Sequence, residues 1–219
     1  MRLLVSKDLS DKGIEVAMAT FSGANIVNKI AALERFKKEK AEKIAAEDLC
    51  GNQILAEYSR LQREAGVAEP IPPAQWLIEI TKRNRRLPNI NTVVDCYNMV
   101  SAETYLSIGA HDLDRILGNV RFVTTQGGER YTPLGAKEKE KVNAGEYACM
   151  DDEKILCRLD LKQCEETKIT KDTKRFMVYV QGNRHAPLDL LQHALEDVCH
   201  NITTFCGGTY EIVNEEIVP

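Results

Sequence analysis

Asn91-Thr92-Val93-Val94-Asp95-Cys96-Tyr97-Asn98 is the stretch on which the reading of the fold turns. Val93, Val94, Tyr97 and Val100 recur at helical spacing, with Asp95 and Asn98 between them, so an amphipathic helix begins at an Asn-bearing turn. Asn91 is placed to cap that helix with its side-chain oxygen. Downstream the period changes. Val120–Thr124, Glu129–Tyr131, Glu146–Cys149, Ile155–Leu159 and Phe176–Val180 read as short strands, punctuated by Gly127-Gly128, Gly135 and Gly145. A final helical stripe of Leu188, Leu191, Ala194, Leu195, Val198 and Ile202 stops at Gly207-Gly208, and Thr209–Val213 reads as a closing strand.

Upstream, Ile14–Phe21 reads as a strand between turn signals. Leu33, Phe36, Ile44 and Leu49 mark a highly charged helix, interrupted at Gly51-Asn52. Ile54, Leu55, Tyr58 and Leu61 mark a second. Pro70-Ile71-Pro72-Pro73 opens a third, holding Trp76, Leu77 and Ile80. Strands mixed with helices in this way indicate an α+β fold, with helices packed on a sheet.

The chain has 219 residues, enough for one domain with a full core. Apolar content of 43% and charged content of 28% are those of a globular protein. Met1–Asp8 returns to charge after three apolar residues, which reads as a first strand in the cytoplasm rather than a signal or membrane segment. Seven cysteines, odd in number and without CxxC spacing, read as free buried thiols. His193, Cys199, His200 and Cys206 lack the paired spacing of a zinc site, so no metal and no cofactor is expected. A net charge of -4 argues against nonspecific coating of nucleic acid, yet Lys82-Arg83-Asn84-Arg85-Arg86 sets four cations in five residues.

Phosphate-cradling loops, nucleophile elbows and dinucleotide fingerprints are absent. His111 stands apart from the other histidines because Gly109-Ala110-His111-Asp112-Leu113-Asp114 reads as a polar turn after a helix.

Four ordered elements then become specific. They are the V-V-D-x-x-N helix at Val93–Asn98, Asp112-Leu113-Asp114-Arg115-Ile116, Gly145-Glu146-Tyr147 with Asp151-Asp152, and Glu165–Lys174 leading into a hydrophobic strand. Together they resemble the editing domain of the phenylalanyl-tRNA synthetase beta subunit and small freestanding proteins built from it. The resemblance covers about half of the chain well; residues 1–85 match only in general layout. It implies a layered α+β sandwich around a mixed, largely antiparallel sheet. It divides residues 1–219 into an N-terminal strand and helical layer (1–86) and an editing-like core (87–219), within one domain. It also implies a freestanding factor that hydrolyses the ester of mischarged tRNA, or a tRNA- or amino-acid-binding module that has lost the chemistry.

Within that resemblance Gly109 stands where the synthetases have a histidine, and His111 lies two residues later. Gln181 stands where the family has a glutamate that reads the substrate side chain. An aminoacyl ester is already activated, so its hydrolysis needs a placed water and a steadied oxyanion rather than a triad. The expected roles are His111 as the catalytic base, Asn91, Asn98, Gln181 and Arg158 as substrate-binding groups, and Lys82, Arg83, Arg85 and Arg86 as tRNA phosphate contacts. Asn91, Asn98, His111 and Gln181 are expected to converge on one cleft that takes the aminoacylated 3′ end.

Overall fold

The structure, a computed structural model, describes residues 1–219. Two sheets and a helical layer are stacked. The first sheet runs β10 (Glu215–Val218), β1 (Leu3–Ser6), β4 (Val120–Thr124), β5 (Tyr147–Met150), β6 (Ile155–Arg158), β7 (Lys162–Gln163). In it β1 is parallel to both neighbours and the other pairs are antiparallel. The second runs β3 (Ser107–Asp112), β8 (Arg175–Gln181), β2 (Val16–Ser22), β9 (Thr209–Val213) and is antiparallel throughout. The α+β layered sandwich is therefore present, with its sheet divided in two. β1 and β2, from the first 86 residues, are interior strands, β1 of the first sheet and β2 of the second.

The second sheet is the middle layer, and β8 shows why. Phe176–Gln181 is buried at every position, as a strand covered on both faces must be. Phe176, Val178 and Val180 face the helices α2 (Ala31–Ala46), α4 (Pro73–Asn84), α5 (Thr92–Thr104) and α6 (Leu188–Cys206) in the larger core. Met177 and Tyr179 face the first sheet, meeting Leu3, Val5, Phe122 and Cys149. Helix α3 (Gln53–Glu64) sends Leu61 into this second core, and the short α1 (Lys7–Asp11) sends Leu9. Asn52 caps α3 by accepting from Leu55 N–H at 3.0 Å. No helix is long and apolar enough to cross a membrane.

Three local expectations change. The segment read as a turn at Gly109–Asp112 is strand β3, paired along its length with β8, and the turn comes after it at Leu113–Arg115. Its alternation was masked by small and polar residues on one face. Glu129–Tyr131 forms only an isolated bridge, Arg130 to Lys154. All seven thiols are free, and Cys50 is exposed while the other six are buried.

Candidate functional site

The start of α5 is held by a small polar network. Asn91 Oδ1 accepts from Val94 N–H at 3.0 Å, and its amide donates to Ile169 O at 3.3 Å. The buried Asp95 carboxylate accepts from Ile90 N–H at 2.8 Å and from Lys37 Nζ at 2.6 Å. Burial pushes its carboxyl upward against the pull of Lys37. Lys37 also reaches Asn89 Oδ1 at 2.8 Å, so one buried ammonium fixes the whole turn 89–91. Asn91 is thus a cap in this structure, while Asn98 is half-buried on the same helix.

His111 and Gln181 lie on one face of the β3–β8 pair, the face turned to the first sheet. The register pairs His111 with Met177, Gly109 with Tyr179 and Ser107 with Gln181. Four residues of strand separate the two, about 13 Å at strand rise. The Tyr179 ring lies between them, stacked on His111 with centroids 6.0 Å apart. A Cβ at residue 109 would collide with the Tyr179 phenol, so the glycine is what lets that ring lie across the strand.

His111 is 0% exposed. Its Nδ1 pairs with Thr167 Oγ1 at 2.8 Å, and its Nε2 has no partner. Burial, reinforced by the charge of Lys154, pushes its pKa down to about 3, so the ring is neutral across the working range. An imidazole with no atom open to solvent holds no attacking water in this state. The convergence expected of His111, Asn98, Asn91 and Gln181 is therefore not seen as an open cleft: none of the four lines any of the five principal cavities.

Gln181 leads instead to a second, buried constellation. Its side-chain amide donates to Asp160 Oδ2 at 3.3 Å, and its backbone carbonyl accepts from the Tyr58 hydroxyl. Asp160 also accepts from Tyr147 Oη at 2.8 Å and Gln62 Nε2 at 3.2 Å. Leu159 and Asp160 have φ of 52° and 47°, the left-handed region that aspartate tolerates better than leucine. With only neutral donors around it, burial pushes the Asp160 carboxyl up to about 7. The Gln62 carbonyl oxygen is left without a partner.

Arg158 points elsewhere. It is paired with Glu146, Nη2 to Oε1 at 2.7 Å, and with Glu140, and these bonds raise its pKa. It lines a separate cavity of about 270 Å³. In the basic run, Lys82 turns back to the Glu47 carbonyl and Arg83 is exposed, whereas Arg85 and Arg86 line a cavity of about 420 Å³.

Residues 64–207, about two thirds of the chain, match the family described as the B3/4 domain. The chain belongs to the B3/4 domain family. Over 91 residues it is 32% identical to the phenylalanine–tRNA ligase beta subunit of Fusobacterium nucleatum subsp. nucleatum, a match covering 42% of this chain and 11% of that one. An N-terminal fragment of the phenylalanyl-tRNA synthetase beta subunit from Pyrococcus horikoshii has the same fold, with a TM-score of 0.55 and 17% identity over 99% of this chain and 52% of the fragment. The chain thus spans about a tenth of the curated relative and half of the structural one.

In this B3/4 domain the residues that sequence reasoning missed are Tyr58, Gln62, Tyr147, Tyr179 and Asp160. Only Asp160, an acid between Leu159 and Leu161 on a strand-like run, carried any local signal. Tyr58 and Tyr179 look like ordinary core residues, Tyr147 entered only as part of the Gly145-Glu146-Tyr147 element, and Gln62 looks like a polar helix residue until the sheets are assembled.

Proposed function

We propose that this B3/4 domain associates with tRNA and acts by binding rather than by hydrolysis through His111. The observation behind the choice is the sealed strand face. Tyr179 fills the space over Gly109, and His111 keeps its one unpaired nitrogen away from water. Membership of a family shared with phenylalanyl-tRNA synthetase beta subunits, and the unpaired cations at the end of α4, support the association. A phosphate backbone held at Arg85 and Arg86 would lie a few residues from the Asn91 turn.

A second reading, a deacylase of mischarged tRNA, is favoured by Asp160. A buried carboxyl titrating near 7 beside Gln181 suits general acid–base work better than His111 does. It requires Tyr179 or α3 to move and admit the aminoacyl end.

A panel of charged tRNAs separates the two. Binding of charged and uncharged tRNA alike, with ester loss at the spontaneous rate, is the expected result. Accelerated ester loss that disappears in Asp160→Asn would replace the binding reading with the catalytic one. Loss of that activity in His111→Ala, with tRNA affinity kept, would restore the histidine to the role first expected of it.

A further inference from the structure

We infer that the cavity between α2 and the C-terminal end of α4 is a binding site for the phosphodiester backbone of RNA. The inference rests on the tRNA-association reading and gives it a location.

The cavity, about 420 Å³, is lined by cations from two segments far apart in the chain. Lys29 and Lys38 come from the segment entering α2 and from α2 itself, and Arg85 and Arg86 come from the residues just past α4. All four are exposed, and none has a carboxylate within ion-pair distance. Elsewhere on the surface Arg2, Lys7, Arg60 and Arg175 are neutralised, and other unpaired cations such as Arg63, Lys137, Lys171 and Lys174 do not line any of the five principal cavities. Four uncompensated cations around one concavity are notable in a chain whose net charge is -4.

Helix electrostatics accounts for part of this. Cations at the end of α4 complement its dipole. Lys29 and Lys38 lie on neither end of α4, so that explanation does not reach them. Lys29 instead stands just before α2, whose N-terminus has no side-chain cap and adds to the positive field.

The floor is fixed rather than plastic. Lys37 is buried and already neutralised by Asp95 at 2.6 Å and Glu34 at 3.2 Å, so it holds Asn89 in place and is not itself the anion's partner. Glu34 is the one acidic residue in the lining, and Lys37 engages it.

The lining also says what kind of anion fits. No aromatic ring faces the cavity; the apolar surface is Ile80 and Leu87 with Pro88. A site with arginines, lysines and the Asn84 amide but no stacking platform reads phosphate and ribose, not base identity. Arginine forks suit phosphate oxygens held in pairs. The volume is that of a ligand site and exceeds what one bare ion needs. Beyond Asn89, two residues lead to the Asn91 cap, so a strand held here runs along the start of α5.

The test is the salt dependence of uncharged tRNA binding between about 50 and 200 mM salt. It compares wild type with Lys29→Ala/Lys38→Ala/Arg85→Gly/Arg86→Ala, and with a control that removes four exposed cations outside the cavity, Arg63, Lys137, Lys171 and Lys174, as alanines. Arg85 takes glycine because its φ is 55°. Should that variant melt early, Lys38→Glu/Arg86→Glu changes only two exposed side chains and asks the same question. The cavity variant is expected to bind about tenfold or more weakly at low salt, with a log–log slope reduced by about 0.7 to 0.9 for each phosphate that is no longer neutralised, while the control keeps most of its affinity. Unchanged affinity in the cavity variants, or an equal loss in the control, overturns this site and leaves tRNA association standing. A wild type that binds no RNA at low salt overturns both.

Discussion

Asp151 and Asp160 sit just before and just after β6, both are buried, and they are set in opposite ways. Asp151 accepts from the backbone N–H groups of Leu117, Glu153 and Lys154 at 3.0, 2.8 and 2.8 Å and from Lys154 Nζ at 2.6 Å. Burial raises its pKa, but the ammonium and the three amides outweigh it and hold the carboxyl below its usual range. Asp160 accepts only from Tyr147, Gln62 and Gln181, all neutral, and burial carries it up to about 7. Desolvation acts on both; the charge of the donors decides the outcome. The first acid ties a hairpin together. The second is left able to gain or lose a proton near neutrality, which structural carboxylates seldom do.

Removing the cation should produce the largest effect. Lys154→Met leaves Asp151 buried without its counter-charge and should cost about 3–5 kcal/mol at neutral pH, read from urea unfolding. A loss below about 1 kcal/mol would mean that the three amides suffice alone, and the contrast with Asp160 would lose its cause.

Next is the pH dependence that Asp160 imposes. Its folded pKa lies above its unfolded value, so between about pH 4 and 7 the folded state holds a proton that the unfolded chain releases. Its contribution to stability therefore falls as pH rises through that window, by on the order of 2–3 kcal/mol between pH 5 and 7. Asp151 acts in the other direction, losing stability as pH falls through its lowered pKa. Asp160→Asn should remove the decline toward neutrality and leave the acid limb intact. Parallel pH profiles for wild type and Asp160→Asn would show that the carboxyl titrates normally.

The smallest effect sharpens the contrast from the donor side. Gln181→Glu replaces an amide donor with a second acid, so the pair would share a proton and titrate together. The decline attributed to Asp160 should move to higher pH, with about 1–2 kcal/mol lost at pH 8 relative to wild type. A profile that stays in place would remove Gln181 from the network.

The sequence made the elements legible where a single face decides them. The stripes Leu33–Ile44, Leu55–Tyr58–Leu61 and Leu191–Leu195–Val198–Ile202 are buried faces of α2, α3 and α6, and the apolar run Phe176–Val180 is the core of β8. What stayed hidden depends on partners far along the chain. Gly109 looks like a turn residue, yet its purpose is set by a tyrosine in another strand. Asp160 acquires its environment from Gln62, which is 98 residues earlier, and from Tyr147 and Gln181. Lys29 and Lys38 belong to a highly charged stretch, and nothing local says that they line one cavity with Arg85 and Arg86. Half of the basic cavity was therefore visible as a charge run and half was not.

The last two strands bear on how this molecule assembles. β9 completes the second sheet against β2, and after Asn214 the chain crosses to the first sheet, where β10 pairs with β1. Leu3 meets Glu215, and Val16 N–H donates to the Glu215 carboxylate at 3.0 Å. Strand β1 thus waits for β10 before the first sheet has its outer edge, as β2 waits for β9 in the second. Contacts spanning almost the whole chain delay folding, because their loop-closure cost falls due before their reward. During synthesis β1 and β2 present open edges to whatever is nearby, a period in which chaperones have something to hold.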